Sequence, residues 1–184
     1  MRLEIRVAGF GGQGVIRAGL MLAMAASIYS EKNAVQTQSY GPEARGGACK
    51  SEVVISNEEI DFPKVTKPDI LVTLSQEAYS RHVDTLKRGG ILLLDPDLTP
   101  NQKTTPDIRV FKVPATKIAE ELGKVIVANV VMLGALTSIT NVVAVEAIKE
   151  AILSNIPKGT EKLNIEAFRK GYEYGKTLLQ EHPQ

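Results

Sequence analysis

Gly9-Phe10-Gly11-Gly12-Gln13-Gly14 is the stretch whose reading decides the fold. Just upstream, Leu3, Ile5 and Val7 alternate with Arg2, Glu4 and Arg6, the period of two that marks a β-strand. Just downstream, from Val15 to Tyr29, small and apolar residues take over, with Ala18, Leu22, Ala25 and Ile28 at helical spacing. Strand, glycine turn and helix make a Rossmann-like β–α unit. Gly9, Gly11 and Gly14 fall at the GxGxxG positions. In such a turn the first glycine permits the tight reversal and the second lets a diphosphate approach the backbone. The third lets helix and strand pack closely. The N–H groups and the positive helix end then supply an anion site. The alternative reading is a tight β–α turn that holds no ligand.

Working outward, Ala34–Gln38 reads as a second strand, Ser39–Gly47 as a loop by its turn residues, and Glu52–Ser56 as a short strand. Ile70–Leu74 and Ile91–Leu94 are continuous apolar runs, as strands buried on both faces of a parallel sheet require. A polar helix, Gln76–Lys87, lies between them and closes at Gly89-Gly90. Ile108–Val113 reads as a strand and Ala115–Leu122 as a helix. Asn129–Ile139 is a helix apolar on nearly all sides, to be buried in the core or against a partner. Val143–Leu153 and Ile165–Leu179 are amphipathic helices separated by Pro157-Lys158-Gly159. No repeat or low-complexity tract interrupts the pattern. The expected fold is α/β with three layers and a mostly parallel sheet, one domain over residues 1–184.

The chain has 184 residues, 22 basic and 21 acidic, with a net charge of +1. That balance offers no basic field for nucleic acid. A single cysteine, Cys49, excludes a disulfide framework, a cysteine-built zinc site and a self-contained iron–sulfur cluster. The two histidines, His82 and His182, stand far apart, so the expectation is a chain that holds no metal. The longest nearly apolar run, Val125–Leu136, is interrupted by Asn129 and too short for a bilayer. Met1–Val7 does not resemble a signal-peptide core, so the expectation is a cytoplasmic protein with no membrane association.

A nicotinamide cofactor needs an acid at the end of the second strand, about 20 residues past the glycines. Asn33–Tyr40 contains none, which counts against NAD, and Arg45 lies too far downstream to serve NADP. The following loop, Ser39–Gly47, gathers turn formers, an aromatic, an acid and a base. Arg45 suits a phosphate or carboxylate as a bidentate donor, with Glu43 to orient it; a surface turn with a local ion pair is the plainer reading. Asn129 reads as a helix N-cap or as a hydrogen bond into a cofactor pocket. Ser75, at a strand's carboxyl end, reads as a helix N-cap or as a ligand contact, and Asp95 as a turn starter. Cys49, beside Lys50, is a low-pKa thiol or a passive buried residue, and His82 receives no role.

GFGGQGV at Gly9–Val15, the small residues Ala18-Gly19 and Leu22-Ala23, SYGPEARGG at Ser39–Gly47 and ANVVMLGAL at Ala128–Leu136 occur in a telling order. Over Val7–Leu136 this set resembles the gamma subunit of 2-oxoacid:ferredoxin oxidoreductases. The wording of SYGPEARGG is more similar to the 2-oxoglutarate branch than to the pyruvate branch. The resemblance implies a complex that oxidatively decarboxylates a 2-oxoacid, passes the acyl group to coenzyme A and gives two electrons to ferredoxin. It implies that thiamine diphosphate, magnesium and iron–sulfur clusters sit on partner alpha and beta subunits and on a ferredoxin-like subunit where present. This chain, which has no GDG-type metal motif and no CxxC, then carries no catalytic residue of its own. By the same resemblance Gly9, Gly11, Gly12, Gln13, Gly14, Tyr40, Arg45 and Asn129 would help bind coenzyme A. Gly41, Pro42, Glu43, Gly46 and Gly47 would border the partner chains and the active-site approach. Competing readings are a free-standing NAD(P)-dependent oxidoreductase and a regulatory nucleotide-binding module.

Overall fold

In the computed structural model, residues 2–41, 47–103 and 107–181 are described. Among the described residues, six strands, β1 (Arg2–Phe10), β2 (Asn33–Tyr40), β3 (Ala48–Ser56), β4 (Ile70–Thr73), β5 (Ile91–Leu94) and β6 (Arg109–Lys112), form one sheet. Six helices accompany them: α1 (Val15–Ser27), α2 (Gln76–His82), α3 (Ala115–Glu121), α4 (Ala128–Thr140), α5 (Val145–Asn155) and α6 (Glu161–Glu181). The strand order is β2-β3-β1-β4-β5-β6. β1, β4, β5 and β6 run parallel, while β3 opposes both β1 and β2, so β3 alone runs against the rest.

The layers follow from strand periodicity. Ile5, Val7, Val53, Ile55, Ile70, Val72, Ile91 and Leu93 point to one face and join side chains of α1, α3, α4, α5 and α6 in one core. Leu71, Leu92 and Leu94 point to the other and meet Tyr79, Val83 and Leu86 of α2 and the turn after it. The expected three layers are present, but unequal.

Helix α4 is buried from Asn129 to Ile139. The sequence leaves core and partner interface open for it; the structure puts it in the core, between the sheet and α6. A Cβ on Gly171 would collide with the carbonyl of Val131, and one on Gly134 with that of Phe168. These glycines let the two helix backbones meet closely.

Several boundaries differ from the sequence reading: β1 runs on to Phe10 and β3 begins at Ala48, four residues before the expected Glu52, because the two strands pair over that length. Helix α2 stops at His82 and becomes a 3-10 turn, Val83–Thr85, because Lys87 donates its N–H to Pro68 O at 3.0 Å and pulls the chain back to the sheet. Ser39 and Tyr40 belong to β2, not to a loop, since they pair with Lys50 and Cys49 of β3, and Gly41 N–H reaches Ala48 O at 2.6 Å. The tip of this hairpin, Pro42, Glu43, Ala44, Arg45 and Gly46, lies outside the described residues. α6 starts earlier and ends later than its apolar pattern suggests.

Two charged residues of β1, Glu4 and Arg6, do not face water, while Arg2 does. Arg6 is 4% exposed and Glu52, its cross-strand neighbour on β3, 7%. Arg6 Nε donates to Glu52 Oε1 at 2.7 Å, Nη1 to Thr85 Oγ1 at 2.7 Å and Nη2 to Val65 O at 2.8 Å. Lys50 Nζ meets the same Glu52 oxygen at 2.9 Å. Replacing Glu52 with Leu strands a buried guanidinium and is expected to cost about 3–5 kcal/mol in urea unfolding. Arg6→Met should cost less, because Glu52 keeps Lys50. Equal losses from the two variants would show that the pair is not buried in this sense.

Candidate functional site

The carboxyl ends of β1 and β4 and the starts of α1 and α4 converge on the glycine turn. Gly14 ends that turn at φ 75, in the left-handed region, and its carbonyl accepts the Ala18 N–H at 2.9 Å to start α1. A side chain on Gly14 would also run into the amide of Asn129. Asn129 is 6% exposed, and its Nδ2 lies 3.4 Å from Gly14 O. It is not the N-cap of α4, which starts one residue earlier with Val127 in that place. Tertiary packing, not capping preference, sets its role: the structure brings it to the glycine turn.

Within the turn, Gln13 N–H donates to Phe10 O at 3.2 Å and Gly11 N–H to Gly47 O at 2.9 Å. The Gln13 side chain accepts from Phe10 N–H at 2.7 Å and donates to Leu74 O at 2.6 Å. Among the described residues, the N–H groups of Gly12, Gly14, Val15 and Ile16 have no intramolecular acceptor. Those four donors lie at the amino end of a 13-residue helix, so the turn is furnished for an anion.

Cavities flank it on two sides. One of about 330 Å³ is walled by Gly12, Gln13, Leu74, Thr116, Val125 and Ile126. One of about 150 Å³ runs along Gly14, Arg17, Lys124 and Asn129. Val125 and Ile126, 52% and 64% exposed, stand between them. The apolar run from Val125 therefore splits into an exposed ridge and a buried helix. Sequence reading takes Val125–Leu136 as one apolar stretch and a sign of partner burial, and gives Thr116 no weight; nothing local marks the split.

Tyr40 and Gly41 line a third cavity, of about 160 Å³, on the α2 face. It reaches Gly9 and Phe10 and includes Cys49, Lys50, Arg81 and His82. Tyr40 and Asn129 thus approach the turn from different sides. Gly47 reaches it through its carbonyl, while Arg45 and the rest of the hairpin tip lie outside the described residues. Cys49 is buried, and burial pushes its thiol up, which corrects the low-pKa alternative. Ser75 caps α2, accepting the Ala78 N–H at 3.1 Å. Asp95 does open a turn, accepting the Asp97 N–H at 3.1 Å. Its other oxygen holds the start of α3 through the Thr116 N–H at 2.8 Å and hydroxyl at 2.7 Å.

A nicotinamide ribose would lack more than its acid. β3 separates β2 from β1, so the end of β2 is not the neighbouring strand end that a dinucleotide site uses. Among the described residues, no group of three or more His, Cys, Asp and Glu can hold a metal ion. No described helix is long and apolar enough to cross a membrane.

Comparison with known proteins gives a consistent set. The family described as pyruvate ferredoxin/flavodoxin oxidoreductase matches residues 4–174. The chain is 60% identical to the 2-oxoglutarate synthase subunit KorC of Methanocaldococcus jannaschii over 97% of this chain and 96% of that one. The keto/oxoacid ferredoxin oxidoreductase gamma subunit of Geobacter sulfurreducens is similar in structure, with a TM-score of 0.85 and 44% identity, over 95% of this chain and 99% of that one. The 2-oxoglutarate:ferredoxin oxidoreductase of Magnetococcus marinus, solved with 2-oxoglutarate, coenzyme A and succinyl-CoA bound, gives a TM-score of 0.87 at 26% identity. That match spans 96% of this chain and 31% of the other.

His82, which the sequence left without a role, gives the cavity a pH signature. Burial, then the charges of Arg6, Lys50 and Arg81, push its pKa down to about 4, against an opposing effect of Glu52. The unfolded chain takes a proton there near pH 6.5, the folded chain only near pH 4, so this contribution to stability is full above pH 6.5 and is lost as pH falls to about 4. Because His82 is only half-buried, the loss is expected to be about 1 kcal/mol. Urea midpoints of wild type and His82→Gln at pH 7 and 4.5 should show the larger drop in wild type. Equal drops would refute it.

Proposed function

The chain belongs to the pyruvate ferredoxin/flavodoxin oxidoreductase family, and from that premise we propose that it is the gamma-type subunit of a 2-oxoglutarate:ferredoxin oxidoreductase. In this reading residues 1–184 are one domain that works in the cytoplasm with alpha and beta subunits. The complex converts 2-oxoglutarate and coenzyme A to succinyl-CoA and carbon dioxide; one proton leaves, and two electrons pass to ferredoxin. Thiamine diphosphate, magnesium and iron–sulfur clusters belong to the partner subunits.

The part of this chain is to hold coenzyme A. The observation that carries this is the row of four unpaired N–H groups at Gly12, Gly14, Val15 and Ile16, which suits a diphosphate. Asn129 is placed against the same turn, with its amide directed at Gly14. The two flanking cavities give the arms of a long ligand somewhere to lie. Coenzyme A supplies the thiol that receives the acyl group; the chain's residues bind and orient it. Gly9 and Gln13 shape the turn. Tyr40 and Arg45 are assigned to coenzyme A, and Gly41, Pro42, Glu43, Gly46 and Gly47 to the border with the partner chains; Pro42, Glu43, Arg45 and Gly46 lie outside the described residues. The tie between Gly11 N–H and Gly47 O supports that placement, since it joins the hairpin to the turn.

Gly11 is exposed, so a bulky residue there obstructs the ligand's approach without filling the core. In the assembled complex, Gly11→Leu is expected to raise the Kd for coenzyme A about ten-fold or more and leave thiamine diphosphate occupancy intact. Unchanged coenzyme A binding, or equal loss of both, overturns the reading. Ferredoxin reduction by the wild-type complex should be fastest with 2-oxoglutarate among 2-oxoacids; a clear preference for pyruvate would reassign the substrate.

A further inference from the structure

We infer that Gln13 is a positioning residue for coenzyme A: its amide holds the glycine turn in the shape that presents the N–H row, and does not itself bind the ligand. The inference rests on the reading of the turn as the coenzyme A site. It differs from the expectation drawn from sequence, where Gln13 is one of the contacts.

Two backbone groups on different strands set the requirement. Phe10 closes β1 and offers an N–H; Leu74 follows β4, the parallel neighbour, and offers a carbonyl. Gln13 Oε1 takes the first at 2.7 Å, and Nε2 gives to the second at 2.6 Å. A primary amide accepts from one group and donates to the other through two separate atoms, with oxygen and nitrogen assigned in this order. A glutamate would face the Leu74 carbonyl with an oxygen, a methionine would satisfy neither group, and an asparagine is one methylene shorter. The residue also closes the turn through its own N–H to Phe10 O at 3.2 Å. Backbone and side chain of one residue thus fasten both polar groups of Phe10.

Three consequences bear on binding. The N–H of Phe10 is consumed internally, so the anion meets the donors from Gly12 onward. Gly9 lacks a side chain because a Cβ there would lie 2.5 Å from Gln13 Oε1, 3.0 Å from Val15 Cγ2 and 3.1 Å from Leu74 Cβ. Its smallness makes room for the Gln13 amide, not for a ligand. The same amide joins the turn to Leu74, and Gln13 and Leu74 wall one cavity, so the donors and that wall keep a fixed relation. A turn held before the ligand arrives avoids the cost of ordering it during binding.

Two experiments on the assembled complex test this. By hydrogen exchange on wild type, the Phe10 amide should be protected with or without coenzyme A. Gly12 and Gly14 should become protected when coenzyme A is added. Protection of Phe10 only after coenzyme A binds overturns the inference. No change at Gly12 and Gly14 overturns instead the site reading on which it rests. In the second experiment, Gln13→Met and Gln13→Ala should raise both the Kd of coenzyme A by equilibrium dialysis and its KM about ten-fold. The KM for 2-oxoglutarate and kcat at saturation should stay near wild type, while the melting temperature falls by a few degrees because Phe10 N–H and Leu74 O lose their partner. Unchanged coenzyme A affinity, or parallel shifts for both substrates, would give Gln13 no positioning role.

Discussion

Helix α4 has no polar face, and the rest of the molecule is arranged to cover it. A helix buried on all sides must be wrapped, because each apolar side chain left in water forgoes about 1.5–3 kcal/mol. The sheet and α1 enclose one side, where Val7, Ala18, Val72 and Leu74 lie around Asn129, Met132 and Leu136. α6 encloses the other, with Ala167 and Phe168 in the same core, and its glycines let backbone meet backbone: Gly171 against Val131 and Gly175 against Ala135. Close backbone approach multiplies dispersion contacts over the shared length. It also leaves α4 little freedom to slide. The first turn of α4 is therefore delivered to one place, and that place is Gly14.

This delivery makes the site a product of core packing. Gly14 is demanded twice, by its left-handed backbone at φ 75 and by the Asn129 amide that fills the space of a side chain. On the opposite face the constraint is electrostatic. Arg6 and Glu52 are cross-strand partners on β1 and β3, both buried. Such a pair is weak evidence for stability, but it punishes error. A slip of one residue between β1 and β3 would turn these charges toward the α1 face, whose residues are apolar. The pair thus fixes the register that puts Cys49 beside Gly9 and Ala48 beside Phe10.

What the sequence made legible was what rests on local pattern. β1, the glycine turn, α1, β4, β5 and α4 all carry a strong period or an unbroken apolar run, and each lies within a residue or two of its expected bounds, apart from β1's extension to Phe10. The β2–β3 hairpin was partly hidden because β2 is an edge strand, half-exposed and polar, whose ends are set by pairing with β3. The burial of Arg6 was not legible, because alternation reports polarity, not what covers it. Asn129 looked like a cap because propensity is local, whereas its contact with Gly14 spans 115 residues. The Gln13–Leu74 bond spans 61 and leaves no local trace. The glycines at 9, 11 and 14 marked the turn, but not which of them face a ligand.

The antiparallel β3 changes what a Rossmann-like opening means. In a dinucleotide fold the strand beside β1 on that side is the next parallel strand, and its carboxyl end carries the group that reads the ribose. Here the neighbour runs the other way and arrives amino end first, at Ala48 and Cys49 beside the turn. The position of a ribose-reading acid is therefore taken by the returning arm of a hairpin, tied to the turn by the bond from Gly11 N–H to Gly47 O. The same turn chemistry, an N–H row at a helix start, is kept, while the element that supplies the second recognition surface is exchanged. Chemistry beside the turn must then come from the residues that this hairpin carries, which is where Tyr40 and Gly41 stand. The glycine pattern alone specifies an anion; the direction of β3 removes the nicotinamide reading, because it removes the strand end on which that reading depends.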